Sequence, residues 1–334
     1  MPPLTVPLKL VDLSEVRSAF TRRYNVIVEG AMDRKVIIVV NGKGGVGKSS
    51  VAAALAAAWA KIGQKVCLIE VDEQGNNGED LGFTNTPLND RGQAQAAAVL
   101  EGKPLEPTGE ARPNLFVIPG GELLEEVIEE LYCQRRLGKT KADPDEQHAW
   151  MGMYAAAIDQ IRDDYDVIIL DVAPGSEVLQ LSALCAGDNV IIPAKSDPSS
   201  RKGLRAVASR YGVANEHNPM LRLMGVVLFA TNSSATQVQK NIKEALEKDL
   251  NGVAPVFEQT VRHVEAAAVE ARLRGKVPQE LRASTELKPS LRKSMKELAG
   301  DYQSLAMEIM QAMTELRSQD AEQWNADEET GDSE

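Results

Sequence analysis

The stretch from Lys35 to Ser50, K-V-I-I-V-V-N-G-K-G-G-V-G-K-S-S, sets the limits on what this chain can fold into. Val36 to Val40 is a β-branched run and reads as a buried parallel strand. Gly42 and Gly47-Lys48-Ser49 then fit G-x-x-x-x-G-K-[ST], and the Ala-rich segment Val51 to Ala60 reads as a helix. Strand, glycine loop and helix in that order build an anion cradle. Glycines let backbone N–H groups curl round a phosphate, and the helix N-terminus adds positive potential. Gly44, Gly45, Val46, Gly47, Lys48, Ser49 and Ser50 are therefore the expected nucleotide contacts. Lys48 is expected to reach the β- and γ-phosphates, and the Ser49 hydroxyl to ligate Mg²⁺.

The rest of the chain alternates apolar runs with helical patterns. Lys65 to Val71, Asn114 to Pro119, Val167 to Leu170, Asn189 to Pro193 and Leu223 to Phe229 read as strands. Helices are expected at Leu123 to Leu131, Trp150 to Ile161, from Asp197 onward and over Ala235 to Leu250. This order predicts an α/β fold, a doubly wound and mostly parallel sheet with helices on both faces and a nucleotide at the strand C-termini. Val167 to Leu170 ends in Asp171, the pattern of a carboxylate that holds the Mg²⁺ shell through water. Leu291, Met295, Leu298, Tyr302, Leu305, Ile309, Met313 and Leu316 form one apolar seam along a long last helix, packed on its own domain or self-associating. Residues 1–34 read as an extension: Asp12 with Glu15 suggests a capping box, Leu10, Leu13, Val16 and Phe20 share a helical face, and Val26 to Val28 suggests a short strand. Residues 35–317 form the expected domain, and from Ser318 the polar, acidic tail is expected to be disordered.

Composition excludes some classes. No apolar run reaches the ~18 residues that span a bilayer, so no stable membrane insertion is expected. Cys67, Cys133 and Cys185 form no C-x-x-C pair, which argues for a reducing compartment and against a cysteine metal site. The net charge of −12 is uneven: residues 195–296 carry 18 Lys+Arg against 10 Asp+Glu, hence +8, while residues 297–334 carry 1 against 11, hence −10. An acidic protein with one basic segment meets a polyanion on one face only. Arg201, Lys202, Arg205, Lys240, Lys243, Arg262, Arg272, Arg274 and Lys276 are the candidate phosphate contacts.

A second loop lysine, Lys43, is not required by the generic pattern. With it, K-G-G-V-G-K-S resembles the deviant phosphate loop of the ParA/MinD superfamily of P-loop ATPases. The resemblance implies that Lys43 reaches across a nucleotide-sandwich homodimer to the partner's ATP. E-V-D-E-Q-G-N is similar to that family's D-x-D-P-Q-G-N, which places Asp72 beside the attacking water, with Glu70 and Glu73 as departures. Asp171-Val-Ala-Pro-Gly is similar to its D-x-P-P-[GS] switch, with Ala173 as a departure, and implies a γ-phosphate contact from the Gly175 N–H. Asn232 stands where relatives contact the purine, although it also suits a strand-exit turn. The family further implies a cytoplasmic, nucleoid-associated partition ATPase that uses ATP and Mg²⁺, binds DNA without sequence preference and is stimulated by a ParB-like partner. Two rivals remain. A MinD-like membrane-cycling regulator would need a basic C-terminal helix where this chain is acidic. A metabolic P-loop enzyme of the amidoligase or synthetase kind would need a substrate pocket.

Overall fold

The computed structural model describes residues 34–195, 197–231, 236–250 and 255–331. The expected elements of residues 1–33 and Asn232 lie outside the described residues. In chain order, β1 (Val36–Val39) leads through the glycine loop to α1 (Lys48–Lys61), β2 (Val66–Val71), α2 (Asn77–Leu81) and α3 (Gln93–Glu101). Then come β3 (Gly109–Arg112), β4 (Leu115–Ile118), α4 (Leu124–Gly138), α5 (Pro144–His148) and α6 (Met153–Asp159). β5 (Val167–Val172), α7 (Glu177–Ala186), β6 (Asn189–Ala194), α8 (Pro198–His217), β7 (Arg222–Thr231) and α9 (Thr236–Leu250) follow. β8 (Val261–Arg262), α10 (Glu265–Leu273), α11 (Pro278–Leu281) and α12 (Pro289–Gly331) complete the described order.

The strands form an eight-stranded sheet in the order β3-β4-β2-β5-β1-β6-β7-β8. All neighbours are parallel except β3 and β4. The fold is therefore the doubly wound, mostly parallel sheet that the sequence predicts; the short antiparallel edge strand β3 was not foreseen. Alternation splits the core into two layers. Val36, Ile38 and Val40 join β5 residues Ile168 and Leu170 under α4, α6, α7 and α8. Ile37 and Val39 join Ile169 on the opposite face, under α1, α10 and α12.

α12 lays its seam on its own domain. Met295, Leu298, Tyr302, Leu305, Ile309 and Met313 are all buried, and Trp59 Nε1 of α1 donates to Ala306 O at 3.1 Å. The tail differs from expectation: the helix does not stop at Ser318 but continues to Gly331. No proline or glycine interrupts residues 301–330, so nothing in the backbone ends the helix earlier. Asp320 also takes the guanidinium of Arg34, which is fully buried at the entry to β1. Acidic composition predicts solvation, not loss of helix, when a cation waits at the far end.

Candidate active site

The glycine loop is drawn tight by its own strand end. Buried Asn41 donates from Nδ2 to Pro193 O at 2.7 Å and accepts the Lys43 N–H at 2.9 Å. Gly45 and Gly47 have φ of 70° and 88°, the left-handed region where glycine is free of strain. A Cβ at Gly47 would stand 2.4 Å from the Phe229 ring. α8 presses equally close, since a Cβ at Gly203 would meet Asn41 Oδ1 at 2.4 Å. No side chain caps α1 at Gly47, so its first-turn N–H groups are left to a ligand. Lys48 is 7% exposed; burial pushes its pKa down, and Asp171 and Asp72 oppose that.

The carboxylates come from β5 and β2, which lie side by side with Glu70 opposite Asp171. Ser49 lies beside the Asp171 carboxylate, and Asn77 Nδ2 donates to Asp171 Oδ2 at 2.9 Å. Asp171 Oδ1 is buried with no hydrogen-bond partner. Burial raises the Asp171 pKa to about 6, against the pull of Ser49 and Lys48. Asp72 is 5% exposed, and its Oδ1 accepts the Gln74 N–H at 2.9 Å. Burial raises its pKa too, with Lys48 pulling the other way. Glu70 does not enter this group as an acceptor for a ligand. Its carboxyl takes the Asn77 N–H at 2.8 Å and the Gly120 N–H at 3.3 Å. Burial, then the Asp171 charge, raises its pKa to about 8.

The loop after β5 is held from below. Gln180 Nε2 donates to Ala173 O at 2.7 Å and Pro174 O at 3.2 Å, and Arg210 binds the Gln180 Oε1. Gly175 is open, with no atom within 4 Å of where a Cβ would stand. Ser176 caps α7 by accepting the Leu179 N–H. Lys43 is one-third exposed, and its Nζ lies 2.9 Å from Asp197 Oδ1 at the start of α8.

Lys48, Ser49, Asp72 and Asp171 thus converge, with Gly44, Gly45, Val46 and Ser50 in the same loop and helix turn. Ser50 lies beside Tyr302 of α12. Sequence reasoning missed Asn41, Asn77, Gln180 and Tyr302. Only N-N after Gly75 gave a signal, and nothing distinguished Asn77 from a turn residue. The donors suit a magnesium nucleotide. The uncapped helix end and buried Lys48 match a polyphosphate, and the orphaned buried Asp171 oxygen matches a hydrated cation.

The basic candidates do not converge. Arg262 is bound by Asp301 and Glu297, Arg272 by Asp80, Arg274 by Glu270 and Glu286, and Lys243 by Glu258. Each of these four cations has a carboxylate partner within the chain, which a phosphate would have to displace. Lys240 lies 3.9 Å from Glu244, and the two side chains are 70% and 61% exposed. Lys202, Arg205 and Lys276 are exposed, and the Arg201 side chain lies outside the description. A second cluster was not singled out from the sequence: Arg282, Arg292, Lys293 and Lys296 line a groove of about 740 Å³ between α11 and α12.

Comparison with known proteins agrees with this geometry. The AAA_31 family (AAA domain) matches residues 34–223, more than half of the chain. The chromosome-partitioning ATPase Soj of Thermus thermophilus is 29% identical over 194 residues, covering 58% of this chain and 68% of that protein. The chromosome partitioning protein ParA of Caulobacter vibrioides is 31% identical, covering 63% and 75%. The structure of apo McdA from Cyanothece superposes with a TM-score of 0.62 at 18% identity, covering 80% of this chain and 98% of that one. Phosphate loop, paired strand carboxylates, sheet order and these relatives agree: the chain belongs to the ParA/MinD superfamily of P-loop ATPases, on its ParA side.

Proposed function

We propose that the chain is a partition ATPase: ATP closes a homodimer, the dimer binds DNA without sequence preference, and slow hydrolysis releases it. The observation that carries this reading is Lys43, a second lysine at the rim of the phosphate loop. Its charge is held by Asp197, and both side chains are a third or more exposed. Such an exposed pair is worth little, so a partner's phosphate can displace Asp197 cheaply. Within one protomer, the loop N–H groups and Lys48 bind and orient the phosphates. Ser49 and Asp171 would hold Mg²⁺, and Asp72 would orient the attacking water. Mg²⁺ held there would neutralise phosphate charge. Gly175, unobstructed and carried on the loop that Gln180 fixes, would donate its N–H to the γ-phosphate. A ParB-like protein on the cargo is the proposed stimulator.

DNA contact passes to the cations without a carboxylate partner. Lys202, Arg205 and Lys276 remain candidates, and Arg282, Lys293 and Lys296 join them, having no carboxylate in ion-pair range among the described residues. Each neutralised phosphate adds about 0.9 to the salt slope, so doubling the contacts in a dimer makes affinity rise steeply. The test is a gel-shift assay on two unrelated duplexes, with ATP and with ADP, at two salt concentrations. Binding of both duplexes only with ATP, weakened by salt, is the expected result. Equal binding in both nucleotide states breaks the proposed gate, and no binding in either moves the assignment to a protein or metabolic partner. Lys43→Ala should bind nucleotide yet remain monomeric with ATP; dimerisation like wild type would remove Lys43 from the reading.

A further inference from the structure

Two observations at the metal end of the site are unexplained by the phosphate loop. Asn77 Oδ1 and Asp171 Oδ1 are both buried acceptors without a hydrogen-bond partner, and they belong to two side chains joined by one hydrogen bond. Each residue is 1% exposed. Buried acceptors are rarely left unsatisfied, and two adjoining ones mark a place for donors that the chain itself does not supply. The waters of a hydrated cation are such donors, and Ser49 of the phosphate loop lies beside the same carboxylate.

The second observation is how Asn77 is fixed. It is the first residue of α2, a helix whose N-cap, Asn76, makes no side-chain cap bond. Its N–H is instead taken by Glu70 at 2.8 Å, and the other Glu70 oxygen holds Gly120 N at 3.3 Å. Gly120 has no room for a side chain, since a Cβ there would stand 2.2 Å from Asp72 O. Glu70 thus staples the start of α2 to the end of β4 beneath the Asp72 loop. With Glu70 facing two N–H groups, the donor that reaches Asp171 is the Asn77 amide.

We propose that Asn77 is a positioning residue for the metal: anchored by Glu70, it orients Asp171 and adds its own carbonyl oxygen to the acceptors available to the Mg²⁺ water shell. This rests on the ATPase reading and adds to it a residue from outside the phosphate loop and the β5 carboxylate. Outer-shell partners of this kind typically change metal affinity by about 10–100-fold when removed.

The test is anisotropy of a fluorescent ADP analogue, first in EDTA and then in a Mg²⁺ titration, on the wild-type chain and Asn77→Ala. Wild type should bind the analogue and tighten with Mg²⁺; a wild type that binds no nucleotide defeats the ATPase reading itself, not this proposal alone. In Asn77→Ala the Mg²⁺ half-saturation should rise about tenfold, with nucleotide affinity in EDTA within about twofold of wild type. Equal weakening with and without Mg²⁺ would show a merely structural role and overturn the proposal, as would an unchanged Mg²⁺ midpoint. Should Asn77→Ala not fold, Asn77→Leu keeps the volume and loses both the donor and the carbonyl oxygen. Its Mg²⁺ midpoint should rise as in Asn77→Ala, and a wild-type midpoint in that variant overturns the proposal equally.

Discussion

Replacing Arg262 separates a cation that holds the fold together from one that holds DNA. Its Nε and Nη2 donate to the two oxygens of Asp301 at 2.7 and 2.9 Å, and Nη1 donates to Glu297 at 3.0 Å. The Arg262 side chain is 27% exposed, Asp301 15% and Glu297 42%. Only the forked Asp301 pair is sheltered enough to count fully; the Glu297 contact, facing solvent, adds at most about 0.5 kcal/mol. A charge-assisted fork at this depth is worth about 1.5–3 kcal/mol. Truncation does not strand Asp301 completely, because its Oδ2 still accepts the Arg262 backbone N–H at 3.0 Å. Arg262→Ala is therefore expected to cost about 2 kcal/mol, since the surviving backbone bond relieves part of the loss. Urea unfolding of the metal-free chain measures this, with the slope m unchanged if only stability moves. Arg262→Ala combined with Asp301→Ala should cost less than the sum of the two. The DNA salt slope should stay at its wild-type value. Stability within about 0.5 kcal/mol of wild type, together with a salt slope lowered by about two units per dimer, would refute this reasoning and return Arg262 to the DNA face.

Three further outcomes are expected. Gly47→Ala forces a left-handed residue and drives a methyl into the Phe229 ring, so nucleotide binding by calorimetry should fall below detection, accompanied by a stability loss of about 1–3 kcal/mol. Asp72→Ala should keep nucleotide affinity and lose turnover by about 100-fold or more in a phosphate-release assay; unchanged turnover would assign the water to another group. Burial raises Glu70 from 4.5 to about 8, so the folded chain keeps a proton that the unfolded chain has released between those values. Stability from this group is complete below the lower value and is lost as pH rises through the upper one. Urea unfolding without Mg²⁺ should weaken by about 2 kcal/mol from pH 6.5 to 8, and Glu70→Gln should remove most of that slope.

What could be read from the sequence was whatever local chemistry fixes by itself. The loop, Lys48, Ser49 and Asp171 are legible because strand, glycine turn and helix leave the backbone one arrangement. The central strands are legible because parallel strands buried on both faces are continuously apolar, as Val36–Val39 is and as β5 is from Val167 to Leu170. The seam of α12 was legible from its spacing, although nothing in that spacing says that Trp59 and α1 receive it. Glu70 shows where local reading stops. As a departure from a family pattern it put the loop in doubt, yet its meaning depends on Asn77 and on Gly120, which lies fifty positions along the chain. Charge is harder still. The +8 of residues 195–296 belongs to a segment that ends one residue before Glu297 and five before Asp301, the two carboxylates that hold Arg262. Arg272 finds its partner, Asp80, on α2, nearly two hundred positions earlier. Basic segment and acidic flank are thus halves of one folded charge pattern, so a segment sum counts as free many charges that folding has paired. The clusters that keep a field in solution are those whose neighbours in space, rather than in sequence, lack carboxylates. By that criterion the groove of Arg282, Arg292, Lys293 and Lys296 outranks the residues the sequence singled out. Reversing Lys293 and Lys296 to Glu should abolish ATP-dependent DNA binding while leaving urea stability within about 0.5 kcal/mol, because neither side chain holds another element. DNA binding that survives this double reversal would return the interface to Lys202, Arg205 and Lys276.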